Sequence, residues 1–163
     1  MMQEAYGIQL LEESLENGTL DGFLFSDAQS LMGRFICQRL FAIRQSFICS
    51  KPLLERYGTV GDIITHSPFV TKSNSLAYVA KIRQHCRHAF HQEFLSVHLC
   101  KTLSEQLLTV SLSQGFAILP MPESDAYPGL SVIPLGDDFT EHAVLAYRQD
   151  SKTAALKKVL SLF

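Results

Sequence analysis

The sequence lacks the features that mark several large classes of protein. Its 163 residues carry a formal net charge of −2, and the only two adjacent basic residues are Lys157 and Lys158. Without a basic block, bulk electrostatics offer no case for nucleic-acid binding. No apolar run is long enough to span a bilayer, and no charged segment followed by a short apolar one marks a signal peptide. These absences predict a cytoplasmic location.

Cysteine is scarce, and its spacing contains no CxxC pair. In a chain without a secretion signal, thiols stay reduced and lie mostly in the interior. The sequence therefore predicts no disulfide framework but four free, mostly buried thiols, at Cys37, Cys49, Cys86 and Cys100.

Catalytic and nucleotide-binding signatures are also missing, since the chain has no GxSxG, GxGxxG, P-loop or HExxH motif. The segment HCRHAFH does offer His85, His88 and His91, but on a helix this spacing spreads the side chains over about 120°. Zinc ligands on one helix usually lie at i and i+4 instead. We expect a solvated polar face here, and hence no catalytic residue, no metal ion and no cofactor.

The chain has an ordinary 47% of hydrophobic and 18% of charged residues, arranged as alternating helices and strands. The clearest unit is KTLSEQLLTVSLSQGFAILP, at residues 101–120. Thr102 and Glu105 have the spacing of a capping box at a helix start. Gly115 is expected to end that helix, and residues 116–119 to form a short buried strand. The predicted inward-facing stripe of the helix is Leu103, Leu107, Leu108, Val110 and Leu112.

The whole pattern predicts an α/β fold of about seven strands and five helices. Residues 2–6 are predicted as a strand that turns at Gly7 into a helix. A strand at 20–25 then completes a βαβ unit, which requires a parallel sheet. Residues 39–50 are predicted as one long strand, and Lys51 as the start of a loop. The other predicted elements are strands at 69–71, 93–99, 130–135 and 142–148, helices at 59–66 and 76–91, and a last helix capped by Ser151.

The segment TKSNS follows a predicted buried strand and precedes a predicted helix. Unpaired backbone N–H groups and the helix dipole at such a position favour an anion or a polar small molecule. Thr71, Lys72 and Ser73 add polar side chains. The alternative is plain N-capping beside an exposed lysine. Other groups expected at the same sheet edge, in a ligand-binding crevice, are Thr102, Leu103 and Ser26.

Several motifs resemble the LysR-type transcriptional regulators. GTLDGFLF at 18–25 resembles the family's strand G-x-(I/L)-D, and FAIRQSFICSKPL at 41–53 resembles the strand that ends in HPL. DII at 62–64 and PFVT at 68–71 resemble its dL…pfI step. LTVSLSQGFAILP at 108–120 is the best match, to the helix-to-strand segment lV-x-x-G-x-G-I-a-l-L-P, with Ser113 in place of the first glycine. Together, in order and spacing, the motifs cover essentially the whole chain.

The resemblance implies a type 2 periplasmic-binding-protein-like regulatory domain of two α/β lobes with mixed, mainly parallel sheets. Lobe I would comprise residues 1–43 and 148–163, and lobe II residues 44–147. The resemblance also implies homodimers and an effector in the cleft between the lobes. The positions that match the family's cleft residues are Gly7, Ile8, Ser26, Thr71, Lys72, Ser73, Thr102 and Leu103.

Compared with the family, the chain has no N-terminal winged helix-turn-helix and begins at what corresponds to the second strand of lobe I. We therefore expect a fragment, namely an effector-sensing regulatory domain rather than an enzyme. It is expected to bind a small anionic or polar ligand, and neither DNA nor a membrane by itself. A solute-binding protein of the same fold is the alternative, but the missing signal sequence and the unpaired cysteines argue against it.

Overall fold

The computed structural model describes residues 2–122, 127–151 and 153–163. The described residues form six α-helices, eight strands and one 3-10 helix. In chain order these are α1 (Met2–Glu16), β1 (Gly22–Ser26), β2 (Ile36–Ile43), β3 (Ser46–Ser50), α2 (Lys51–Tyr57), α3 (Val60–His66), β4 (Phe69–Thr71), α4 (Leu76–Phe90), β5 (Val97–Leu99), α5 (Leu103–Ser111), β6 (Ala117–Leu119), β7 (Leu130–Pro134), the 3-10 helix (Asp137–Phe139), β8 (Glu141–Tyr147) and α6 (Ala154–Leu160).

Contacts divide the chain into two compact units. The first unit is Met1–Ile43 together with Glu141–Phe163, and the second is Arg44–Thr140. The chain therefore passes from one unit to the other after Ile43 and again after Thr140. Strand β8, which falls in the range predicted for lobe II, pairs with strands of the first unit.

The first unit contains an antiparallel sheet with the strand order β1-β8-β2. The predicted strand at 2–6 and the turn at Gly7 are wrong, because α1 runs through both. Met, Gln, Glu and Ala favour a helix, and Gly7 is tolerated in its interior. Since helix rather than strand precedes β1, the predicted parallel βαβ unit is wrong as well. Leu15, Phe23 and Ala146 form the core between α1 and the sheet.

The second unit contains two sheets, β6-β3-β7 and β4-β5. An isolated parallel bridge between Phe69 and Phe116 places β4 beside β6, and the Val70 N–H donates to the Phe116 carbonyl at 2.8 Å. Only β4 and β5 pair in parallel among the described strands, whereas the four other pairings are antiparallel. The sheets are therefore mixed as predicted, but the prediction that they are mainly parallel is wrong. Antiparallel strands need no helical crossover between them, and β3 pairs antiparallel with both β6 and β7.

Local chemistry explains two further differences from the predicted elements. The predicted strand at 39–50 is divided at Arg44 and Gln45 into β2 and β3, which lie in different units. Lys51 begins α2 instead of a loop, because the Ser50 hydroxyl accepts the Leu53 N–H at 3.2 Å and caps the helix. Pro52 suits the first turn of a helix, where its missing N–H costs nothing. The last helix is capped by Thr153, not by Ser151.

The buried face of α5 differs from the predicted stripe. Gln106, Thr109 and Val110 are the buried residues of α5. Three predicted stripe residues are instead exposed, namely Leu103 at 48%, Leu108 at 59% and Leu112 at 59%. Which face of a helix is buried depends on the surface against which the helix packs. Here the neighbouring strand offers hydrogen-bonding partners to polar side chains.

The end of α5 uses Ser113, and not Gly115, as its left-handed residue. Ser113 has φ 60°, and the Gln114 N–H donates to the Thr109 carbonyl at 3.2 Å, as in a Schellman motif. The Ser113 hydroxyl also lies 2.6 Å from the Ser50 hydroxyl. Gly115 serves a different purpose, because a Cβ there would lie 2.6 Å from the Pro68 carbonyl oxygen. It permits the close approach of the chain to β4.

None of the described helices is long and apolar enough to cross a membrane.

Candidate functional site

The parallel pairing of β4 with β5 gathers two helix starts at one edge of the second unit. Thr71 is opposite Leu99 in the register, and the Cys100 N–H donates to the Thr71 carbonyl at 2.9 Å. Helix α4 follows β4, and helix α5 follows β5. We call residues 71–75 and 100–106 the carboxyl edge. It brings together five of the predicted ligand residues, which are Thr71, Lys72, Ser73, Thr102 and Leu103.

The turn between β4 and α4 is organised by its own hydroxyl groups. The hydroxyl of Thr71, a buried residue, accepts the Ser73 N–H at 3.1 Å, and the Ser73 hydroxyl accepts the Ser75 N–H at 3.3 Å. Ser75, and not an earlier residue, is the N-cap of α4. A hydroxyl that accepts one bond can still donate its own hydrogen. Thr71 and Ser73 thus lie just before α4, and the hydrogen bonds from backbone N–H groups fix the positions of their hydroxyls.

The start of α5 is capped as predicted. The Thr102 hydroxyl accepts the Glu105 N–H at 3.1 Å, and the Glu105 carboxylate accepts the Lys101 N–H at 2.9 Å. The reciprocal bond thus reaches one residue before the N-cap. The first N–H groups of any helix have no partner inside it, and they form the positive end of its dipole. Both α4 and α5 present such an end at the carboxyl edge.

Gln106 is the residue of this edge that the sequence did not reveal. Its side chain is only 3% exposed, and its Nε2 donates to the Val70 carbonyl at 3.0 Å, which joins α5 to β4. Its Oε1 is buried and has no hydrogen-bond partner among the described residues. Asn74 Oδ1, at the start of α4, is also buried and has no hydrogen-bond partner among the described residues. A polar residue that faces inward leaves no apolar periodicity in the sequence, so the pattern could not indicate it.

The other predicted ligand residues lie in the first unit. Gly7 and Ile8 are inside α1, and Ile8 packs against the core of Leu15 and Phe23. Ser26 ends β1, where its hydroxyl donates to Glu141 Oε2 at 2.7 Å and accepts the Ala28 N–H at 3.2 Å. These three residues therefore belong to the first unit, and the five of the carboxyl edge belong to the second.

Beside Ser26 lies an ion pair that sequence reasoning missed. Asp27 accepts the backbone N–H of His142 at 2.8 Å, lies 3.1 Å from its ring Nδ1, and also contacts Arg39 at 3.4 Å. Burial raises the pKa of Asp27, but the hydrogen bonds from His142 and the charges of His142 and Arg39 outweigh it and hold the pKa below 3.8. These polar groups satisfy one another.

Two of the three histidines singled out in the sequence have structural roles, whereas the buried Nε2 of His85 has no hydrogen-bond partner among the described residues. His88 Nδ1 lies 3.1 Å from an Asp138 carboxylate oxygen, and His91 is the left-handed C-cap of α4. Among the described residues no group of three or more His, Cys, Asp or Glu side chains could hold a metal ion.

Three cysteines are buried and Cys37 is exposed, and all four are free. Burial raises the pKa of Cys49 to about 11 and that of Cys86 to about 12.

Two surface depressions in the second unit lie outside the carboxyl edge. One, of about 320 Å³, is lined by residues that include Phe90, Pro134 and Asp138. The other, of about 410 Å³, is lined by residues that include Thr65, Arg87 and Glu93. Neither contains a predicted ligand residue.

Solved structures with the same fold are regulatory domains. The effector-binding domain of a BenM variant matches with a TM-score of 0.70 and 13% identity, over 94% of this chain and 74% of that chain. The sulfate-bound regulatory domain of an OxyR2 mutant from Vibrio vulnificus matches with a TM-score of 0.68 and 17% identity, over 94% of this chain and 74% of that one. The chain has the fold of a LysR-type regulatory domain. The resemblance seen in the sequence is confirmed at this level.

Full-length regulators match over a smaller share of their length. Full-length CbnR in complex with its target DNA matches with a TM-score of 0.67 and 9% identity, over 92% of this chain and 54% of that chain. The chain therefore spans about half of such a regulator and about three quarters of the LysR-type regulatory domains. Neither a protein-family model nor a curated protein matches the chain by sequence.

Proposed function

We propose that this chain is an effector-sensing regulatory domain of a LysR-type transcriptional regulator, with the two compact units as its lobes in a type 2 periplasmic-binding-protein-like arrangement. The carboxyl edge of the second unit binds a small anionic or polar molecule. One observation carries the proposal, namely the pairing of β4 with β5 that places two helix N-termini beside Thr71 and Ser73. The fold shared with BenM and OxyR2 domains supports it.

The chemistry of the edge suits an anion. Helix N-termini present N–H groups and a positive partial charge, and two of them converge here. Lys72 and Lys101 add positive charge, while Glu105 adds one negative charge. A bound effector acts by favouring one of two conformations of the protein. As the CbnR complex with target DNA suggests, the output of such a change is transcriptional.

A thermal-shift titration with small carboxylates and amino acids tests this function. A ligand that binds only the folded state raises the melting temperature, and the rise grows with the logarithm of the ligand concentration once this exceeds the dissociation constant. The double variant Thr71→Ala, Ser73→Ala is expected to weaken binding by roughly tenfold or more, because two positioned hydroxyls are lost. Ser96→Ala, at an exposed serine of the same unit, is the control and is expected to keep the affinity. No shift with any compound, in a folded sample, would contradict the proposal.

We propose further that the chain forms homodimers through an apolar surface of the second unit. Strand β5 lies at the end of its sheet, and exposed apolar residues occur just before it, along it and in α5, including Leu95, Val97, Leu99 and Leu108. Contiguous exposed apolar patches on soluble domains mark interaction sites. Sedimentation equilibrium is expected to give twice the monomer mass, and a monomer at all concentrations would contradict this pairing.

A further inference from the structure

The buried oxygen of Gln106 constrains the chemistry of the ligand. The Nε2 of Gln106 is 3.0 Å from the Val70 carbonyl, next to the end of β4, and its Oε1 is bonded to the same carbon as that nitrogen. The Gln106 oxygen therefore lies close to the Val70 carbonyl, one residue before the end of β4. A buried polar atom without a partner costs roughly a factor of ten or more in the folding equilibrium. Such an atom in a native protein calls for an explanation, and a bound water or a ligand group provides one.

The free atom of this amide is an acceptor and not a donor. Amide oxygen and nitrogen are assigned from their bonding partners. Since the Val70 carbonyl can only accept, the NH₂ group of Gln106 must face it, and the oxygen faces away. Asn74 Oδ1 is a second buried acceptor without a partner, at the start of α4. The carboxyl edge thus offers helix N–H groups for an anion and amide oxygens for a hydrogen-bond donor.

We infer that the ligand carries an ammonium or hydroxyl group close to its carboxylate, and that this group donates a hydrogen bond to Gln106 Oε1. This inference rests on the proposed function, because it assumes that the carboxylate binds at the same edge. A site that holds a buried acceptor discriminates strongly against an analogue that lacks the donor, since binding would leave the acceptor unpaired. Amino acids and hydroxy acids are the two classes of compound that carry such a donor close to a carboxylate.

Titration calorimetry of the unmodified chain with matched ligands tests the inference. One set is L-aspartate, L-malate and succinate, and a second set is L-alanine, L-lactate and propionate. In at least one set, the amino or the hydroxy acid is expected to bind about tenfold to a hundredfold tighter than the unsubstituted acid. Equal affinities within both sets would overturn the inference and leave the proposed function standing. Binding of none of the six compounds would contradict both.

A substitution at Gln106 tests whether this residue causes the preference for the amino or hydroxy acid. Gln106→Met keeps the length of the side chain and removes its acceptor, so the preference for the substituted acid is expected to disappear while the unsubstituted acid binds as before. Gln84→Met, the same change at an exposed position of α4, is expected to keep the preference. A preference that persists in folded Gln106→Met would overturn the inference. If Gln106→Met does not fold, the ligand comparison on the unmodified chain decides alone.

Discussion

The two units differ at the two strand ends where the sequence predicted ligand contacts, the end of β1 and the end of β4. In the first unit, Ser26 bonds to Glu141, and Asp27 bonds to His142. In the second unit, the carboxyl edge holds Gln106 Oε1, which has no partner among the described residues. At both strand ends the sequence predicted ligand contacts for the same reason, namely that a polar residue stands at the end of a buried strand. We therefore propose that the ligand binds at the carboxyl edge, and not at the end of β1, where the polar groups bond to one another.

The largest expected effect is the difference in stability between two glycine-to-alanine substitutions, one in each unit. Gly115→Ala in the second unit is expected to lower the free energy of unfolding by about 3 kcal/mol, since the new Cβ would meet the Pro68 carbonyl at 2.6 Å and the φ of +153° disfavours a side chain. Gly7→Ala in the first unit meets open space on α1 and is expected to stabilise by up to about 1 kcal/mol. Urea unfolding measures both, and equal effects would contradict this packing of β4.

A smaller effect tests the ion pair of the first unit. The pKa of Asp27 is lower in the folded state than its ordinary 3.8. Its contribution to stability is therefore present above that value and is lost as the pH falls through the folded pKa. Asp27→Asn is expected to cost about 1 kcal/mol at pH 7 and to lose less stability on acidification than the unmodified chain.

The control for this pH dependence is Asp21→Asn, at an exposed aspartate just before β1. It is expected to keep both the stability at pH 7 and the acid dependence of the unmodified chain. Unfolding in urea at a series of pH values provides the comparison. An acid transition in Asp27→Asn that matches the unmodified chain would show that the pair with His142 does not stabilise the first unit.

Helix starts were predictable because their chemistry is local. Thr102 caps α5 as its spacing with Glu105 indicates, Thr59 caps the helix predicted to begin there, and Ser75 of the TKSNS segment caps α4. The order of strand and helix also predicted that Thr71 and Thr102 share an edge. These inferences depend on residues only a few positions apart.

Some failures are local, as at α1 and at the caps of α2 and α6, and the others involve distant partners. Residues 2–6 belong to helix α1 and not to the predicted strand, and the helix propensity of Met, Gln, Glu and Ala is local. The buried face of α5 was predicted from apolar spacing, whereas Gln106 lies inside because it bonds to Val70, 36 residues earlier. The direction of β8 depends on its pairing with β1, which lies more than a hundred residues away. Such contacts leave no trace in local spacing.

Chemical-shift mapping tests the central claim, that the carboxyl edge of the second unit binds the effector. The protein would be labelled with ¹⁵N and titrated with the carboxylate that binds most tightly in the matched sets. The account predicts that the largest amide shifts occur at residues 71–76 and 101–106, with a shift of the Gln106 side-chain amide only for ligands that carry a donor. Shifts confined to other residues, such as those lining the two surface depressions, would contradict it.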